Sequence, residues 1–287
     1  MDRDLVQKLL KPEILDLIDD GRFIEVYDEL TGYVEHNKLT EALLEIGVDL
    51  STMKAVPVDM YRGLDIEEVV IPEGVTILED GAFCDCNLLK NVRLPSTLEQ
   101  ISDNVFRRCS SLVHIDIPKS VKRIGAGAFG ECTSLVDVDV SHVPSISSNA
   151  FMYCDSLVTI KIGAKVLRES VLGNCNSLEV VEVSKDCAVI RDEAFVYDHS
   201  LKEVTSLDSI EQIRSKAFHN CDQLERLTLG NKLKTIYSYA FMGTRKLLAI
   251  TYRGTKQQWR DVSKEQNWRA ESSIGVIHCS DGDVRYR

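Results

Sequence analysis

Apolar and polar positions recur along most of this chain with a period close to 23 residues. An aromatic residue or leucine stands at Phe83, Phe106, Phe129, Phe151, Leu172, Phe195, Phe218 and Phe241, at intervals of 23, 23, 22, 21, 23, 23 and 23 residues. Six positions after each of these anchors is a leucine, from Leu89 through Leu135 and Leu178 to Leu247. Five positions before each anchor is Leu or Ile, as at Leu78, Ile124, Ile190 and Ile236. Nine and eleven positions after it come apolar pairs split by one residue, including Val92 and Leu94, Ile115 and Ile117, Val138 and Val140, Ile160 and Ile162, and Val181 and Val183. Alternation with period two predicts a strand with one buried face. A repeat of this length predicts a solenoid, in which each unit packs only on its neighbours.

Each unit is therefore expected to run strand, turn, a short helical or extended return, and the next strand. Pro95 and Pro118 follow the first strands and should end their ladders. Met60, with Ile66, Val69 and Ile71 at the matching offsets, predicts a degenerate first unit. Nine strands would then build a sheet about 40 Å long. Three positions after the anchor a row reads Cys86, Cys109, Cys132, Cys154, Cys175, Asp198, Cys221 and Thr244. Cysteine there is expected to act as a small buried apolar residue. The chain has nine cysteines, and its one close pair, Cys84 and Cys86, has no second pair to complete a zinc site.

The stretch Ile115-Asp116-Ile117-Pro118-Lys119-Ser120-Val121-Lys122-Arg123-Ile124-Gly125-Ala126-Gly127-Ala128-Phe129, continued by Cys132, Ser134 and Leu135, resembles the BspA-like leucine-rich repeat family. The likeness extends over about residues 57 to 253. It implies an α/β repeat solenoid with a parallel concave sheet and a binding role, and it carries over no catalytic residues. Leu172 departs from the phenylalanine of that pattern, and Ser141, Gly163 and Ser184 depart from its proline. With two short units in the same region, either a change of curvature or simple drift in loop length would account for these departures.

Residues 1–56 form a separate segment, helical in pattern over 1–47, with Pro12 opening a helix that Gly21 closes and Gly47 closing another. They are expected to form a helical N-terminal cap, ahead of the array at 57–253 and a C-terminal cap at 254–287. In the last segment Thr255 and Gln258 form a capping-box pair, so a helix should carry Trp259 and Val262 onto the final unit. Ile274, Val276 and Ile277 should form a closing strand, with Asp281 and Gly282 in a turn.

Net charge is −11, and residues 1–66 alone hold 7 basic against 15 acidic side chains. No basic cluster occurs, which argues against nucleic acid and anionic membrane as partners. The N-terminus shows early acidic residues and no apolar run of signal-peptide length, so a cytoplasmic location is expected. Many relatives in the family are surface proteins, and a surface adhesin stays open as an alternative.

Outward-facing strand positions supply the candidate site. Ten positions after the anchor lie Arg93, Asp116, Asp139, Lys161 and Glu182; eight positions after it lie His114, Asp137 and Glu203. Acid concentrates in the middle of the array, as a contact patch for a partner protein with a basic surface would require. His114, Asp116, Asp137 and Asp139 fall within one or two rungs of one another, where acid/base chemistry is conceivable. A flat sheet excludes little water, however, and neither a nucleophile pair nor oxyanion donors are discernible. The expectation is a non-enzymatic scaffold without a cofactor, gripping a protein on the concave sheet, on the acidic helical cap, or on both. A small-ligand pocket between that cap and the first units is the remaining alternative.

Overall fold

A computed structural model describes residues 54–286, so the expected N-terminal helices lie outside the described residues. From Ala55 onward the chain winds as a solenoid of about ten turns. The anchors form its axis. Every one from Met60 to Phe241 is fully buried, and their rings stack in parallel: Phe83 on Phe106 at 5.4 Å, Phe106 on Phe129 at 5.4 Å, and Phe129 on Phe151 at 5.3 Å. Leu172 interrupts this column, which resumes with Phe195 on Phe218 at 5.0 Å and Phe218 on Phe241 at 5.2 Å. Trp268 ends it edge-on against Phe241 at 6.0 Å.

The expected strands are present on one side. Asp137–Val140, Thr159–Ile162, Val180–Val183, Glu203–Thr205, Arg226–Leu229 and Ala249–Tyr252 are consecutive parallel neighbours, and Val276–Cys279 with Gly282–Arg285 completes an eight-stranded sheet. The register joins each residue to its equivalent one turn on, as in Asp139↔Lys161 and Lys161↔Glu182. Glu68–Val70 and Asn91–Arg93 form a separate two-stranded sheet. Between them and the large sheet, the expected strand at Ile115 and Ile117 is reduced to a single bridge from His114 to Asp137. Gly163, just past its strand, continues the ladder by donating its N–H to the Val140 carbonyl at 3.0 Å. At Pro95 and Pro118 that donor is missing. Gly163 itself has a reason to depart from the repeat pattern, because a Cβ there would lie 2.1 Å from the Ser141 carbonyl oxygen.

The return segments are extended, and the alternative of short helices is not met. The apolar residue five positions before each anchor ends a two-residue strand, for example Ile77–Leu78, Gln100–Ile101 and Arg123–Ile124, and these strands pair in parallel to make a second side to the solenoid. Residues in the left-handed region flank the anchor on both sides, as Asn104 (φ 57°) and Arg108 (φ 61°) do around Phe106. Such corners cannot be continued as helix. This second side divides into two five-stranded sheets between Ser145–Ile146 and Val166–Leu167, across the shortest turn. Among the described residues the only α-helix is Lys256–Asp261, capped by Thr255 and Gln258 through a complete capping box and burying Trp259. Expected helical caps thus find little support in the described part of the chain.

The cysteine row does more than fill space. Five of the six thiols donate to the carbonyl of the anchor one turn earlier: Cys109 to Phe83 at 3.1 Å, Cys132 to Phe106 at 3.0 Å, Cys154 to Phe129 at 3.2 Å, Cys175 to Phe151 at 3.1 Å and Cys221 to Phe195 at 2.9 Å; Cys86 donates to the Tyr61 carbonyl, next to the anchor Met60, at 2.9 Å. Those carbonyls lie at the turns, and several already accept a backbone N–H three residues on, as Phe83 does from Cys86 at 3.2 Å and Phe106 from Cys109 at 3.1 Å, so the thiol is a second donor to the same oxygen. A thiol is a small buried group with one weak donor, which suits such a position. Burial pushes the Cys86 thiol up to about 12.

Candidate protein-interaction face

The long-strand sheet presents the rows singled out in the sequence. Alternate residues of Asp137–Val140 and Thr159–Ile162 are exposed and buried, with Val138 and Ile160 in the core and the charged residues outside. Around the middle strands lies a shallow depression of about 320 Å³, lined by Asp137, Asp139, Thr159, Lys161, Val180 and Glu182 over a floor of Val138 and Ile160.

The geometry brings five of the eight candidate residues together here. His114 Nδ1 contacts Asp137 Oδ1 across the bridge between their turns. Lys161 pairs with Asp139 in register and reaches toward Glu182, with Nζ and Oε2 3.9 Å apart. Asp139 accepts the Ser141 N–H at 2.9 Å. Hydrogen bonds from Ser141, helped by the nearby Lys161, hold the Asp139 carboxyl below its usual range. Asp116 is exposed one turn before Asp139. Arg93 stands apart on the two-stranded sheet. Glu203 is engaged by Arg226, which donates to it at 2.8 and 3.1 Å. The middle of this face therefore carries the carboxylates of Asp116, Asp137, Asp139 and Glu182 against the single lysine Lys161. Among the described residues, no group of three or more His, Cys, Asp or Glu is placed to hold a metal ion, and no helix is long and apolar enough to cross a membrane.

A second charged surface escaped the reading of the sequence. Where the turns pass the anchors, Asp59, Arg62, Asp85, Arg108, Glu131 and Arg107 form one chain of ion pairs, with successive separations of 2.9, 3.5, 2.9, 3.1 and 2.7 Å. Hydrogen bonds from Arg107 and then Arg108 hold the Glu131 carboxyl below its usual range. The sign alternation Asp85, Arg108, Glu131 two positions after successive anchors was the available signal. These side chains are partly solvated and satisfy one another, so they contribute little stability and offer no unpaired charge to a ligand.

The sequence model described as the BspA type leucine rich repeat region matches in six copies, over residues 54–179 and 165–261. No curated protein sequence matches the chain. Among solved structures, a leucine-rich repeat protein from Bacteroides ovatus superposes with a TM-score of 0.66 at 19% identity, covering 80% of this chain and 59% of its own. A leucine-rich repeat protein from Eubacterium ventriosum superposes with a TM-score of 0.57 at 20% identity, covering 81% of this chain and 67% of its own. The chain thus spans less than two thirds of the length of the Bacteroides ovatus protein.

Proposed function

The chain belongs to the BspA-type leucine-rich repeat family, and from that premise we propose that it is a non-enzymatic scaffold holding a protein partner against the face of its long strands. The observation that carries this reading is the depression over Val138 and Ile160, lined by three carboxylates and one lysine, with Asp116 exposed one turn before, on an open sheet. An open surface of this kind suits a protein better than a small molecule, which needs a concave site that covers most of its area. Its charge selects a partner with a basic surface, steering the encounter and fixing its orientation.

Reversal of Asp116, Asp139 and Glu182 together to lysine tests the reading. All three are exposed, so the circular-dichroism spectrum and melting temperature should hardly change. Affinity capture from the native cell, read by mass spectrometry, should lose the partners retained by the wild type, and binding measured with the recovered partner should weaken by about tenfold or more. Undiminished capture by the triple variant would remove the long-strand face from consideration.

A further inference from the structure

Beside the charged rows runs another, seven positions after each anchor, at the entrance to each long strand. On either side of the middle turns this row is charged, at Glu67, Lys90, Glu179, Lys202 and Glu225. Glu67 pairs with Lys90 at 2.9 Å and Glu179 with Lys202 at 2.7 Å within the row, Glu225 reaches Lys246 outside it at 3.6 Å, and the last position is the exposed Leu248. Between those pairs the same positions hold Val113, Val136 and Val158, which stay 39%, 37% and 38% exposed. They sit on successive turns, with Val136 N–H donating to the Val113 carbonyl at 3.1 Å and Val158 N–H to the Val136 carbonyl at 3.0 Å. The fold itself accepts charge at this position, so nothing in the core calls for valine there. On the same turns stand Asp116, Asp137 and Asp139, and the acidic depression begins beside them.

Resting on the reading that this face docks a protein, we propose that its occupant is an amphipathic α-helix with a basic flank, lying along the solenoid axis with its apolar ridge on Val113, Val136 and Val158 and its Lys or Arg side chains over the aspartates. The spacing selects a helix. Rungs of a parallel sheet recur at about 4.8 Å, and an apolar helix ridge at i, i+3 or i+4, and i+7 advances about 5.4 Å per turn. Over the two steps between three valines the mismatch is about 1.2 Å. A strand presents same-face residues about 6.7 Å apart, which drifts by about 3.8 Å over the same two steps. A polyproline helix repeats at about 9.3 Å and would meet only alternate rungs, leaving the middle valine uncovered.

Two synthetic peptides of about 18 residues, identical in leucine and lysine content, provide the test. One carries its leucines at i, i+3, i+4 and i+7; the other alternates leucine and lysine in strand order. Each is titrated by fluorescence anisotropy against the full chain, Val136→Glu, the milder Val136→Ser and Asp139→Lys, after melting curves show that the variants are folded. The helix-patterned peptide should bind the wild type at least about tenfold more tightly than the alternating one, gain helical circular dichroism on binding, and lose about tenfold to Val136→Glu and to Asp139→Lys, the latter loss shrinking in high salt. Equal or tighter binding of the alternating peptide, binding indifferent to both Val136 variants, or no binding of either peptide would overturn the helix assignment. The underlying docking reading fails on a different result, undiminished capture of cellular partners by the triple-lysine variant, whichever peptide prevails.

Discussion

Replacing Asp198 by asparagine or cysteine should stabilise the solenoid, and the gain should grow with pH. Asp198 occupies a position of the cysteine row, is fully buried, and lies in sequence register between Cys175 and Cys221. Its Oδ1 accepts the Cys175 N–H at 2.8 Å, while Oδ2 is buried with no partner. An unsatisfied buried polar atom costs about 1 to 3 kcal/mol. Burial also pushes the carboxyl well above its ordinary value of 3.8. The folded chain therefore keeps the proton after the unfolded chain has released it. Stability from this group is complete below the unfolded value and falls as pH rises from there toward the folded value, at about 1.4 kcal/mol per pH unit. The Asp198→Asn side chain is an uncharged isostere and removes that slope. Asp198→Cys would restore the thiol donor that its neighbours in the row direct at the preceding anchor carbonyl, here that of Leu172, but gives up the acceptor of the Cys175 N–H, so its gain should be the smaller of the two. Urea unfolding of the three proteins between about pH 4 and pH 7, followed by both circular dichroism and fluorescence, measures the effect. The asparagine variant should be near or modestly above the wild type at the acid end and above it by about 2 kcal/mol or more at neutrality, and the cysteine variant should gain on the wild type with the same pH slope from a lower start. A difference that stays flat with pH, or an asparagine variant less stable than the wild type at neutrality, would refute the reasoning.

Two further outcomes follow from the core. Phe129→Ala empties one place in a continuous ring column and should cost about 3 to 5 kcal/mol, whereas Lys122→Ala, which removes only an exposed 3.1 Å pair with Glu99, should cost less than about 1 kcal/mol in the same denaturation experiment. In thiol titration of the folded protein, the partly exposed Cys279 should react first and the eight buried cysteines slowly, while all nine should be recovered in denaturant; a fast native phase of several thiols would contradict the thiol-to-carbonyl ladder.

Much of the fold was legible because a solenoid writes its packing once per turn. The anchors, the leucine row and the strand pairs such as Val138 and Val140 each repeat often enough to stand out against local noise. The second side was not legible as a sheet. Its strands are two residues long, as at Gln100–Ile101, and two residues cannot display alternation, so Ile101 announced burial without announcing its partner. The strand forecast at Ile115 and Ile117 was not met, since alternation reports which face is buried and not whether the backbone pairs; Ser141 N–H turns to the Asp139 carboxylate, and only His114 bridges to Asp137. In the candidate site, outward exposure of Asp116, Asp139 and Glu182 followed directly from strand parity. The ion-pair chain from Asp59 to Arg107 did not, because side chains on separate turns meet there through left-handed corners that no propensity scale encodes.

The thiol-to-carbonyl ladder has a bearing on how such an array can be lengthened. Each cysteine-bearing turn contributes a donor to the turn before it and an accepting carbonyl to the turn after it, so a duplicated stretch of one period brings both halves of its own joint. A tandem copying error of one whole unit in the gene therefore yields a protein whose new seams are already matched, whereas the gain or loss of one residue must be absorbed at a corner. The 22-residue turn ending at Phe151 keeps its second-side strands paired, whereas the 21-residue turn ending at Leu172 is where the second side divides into two sheets.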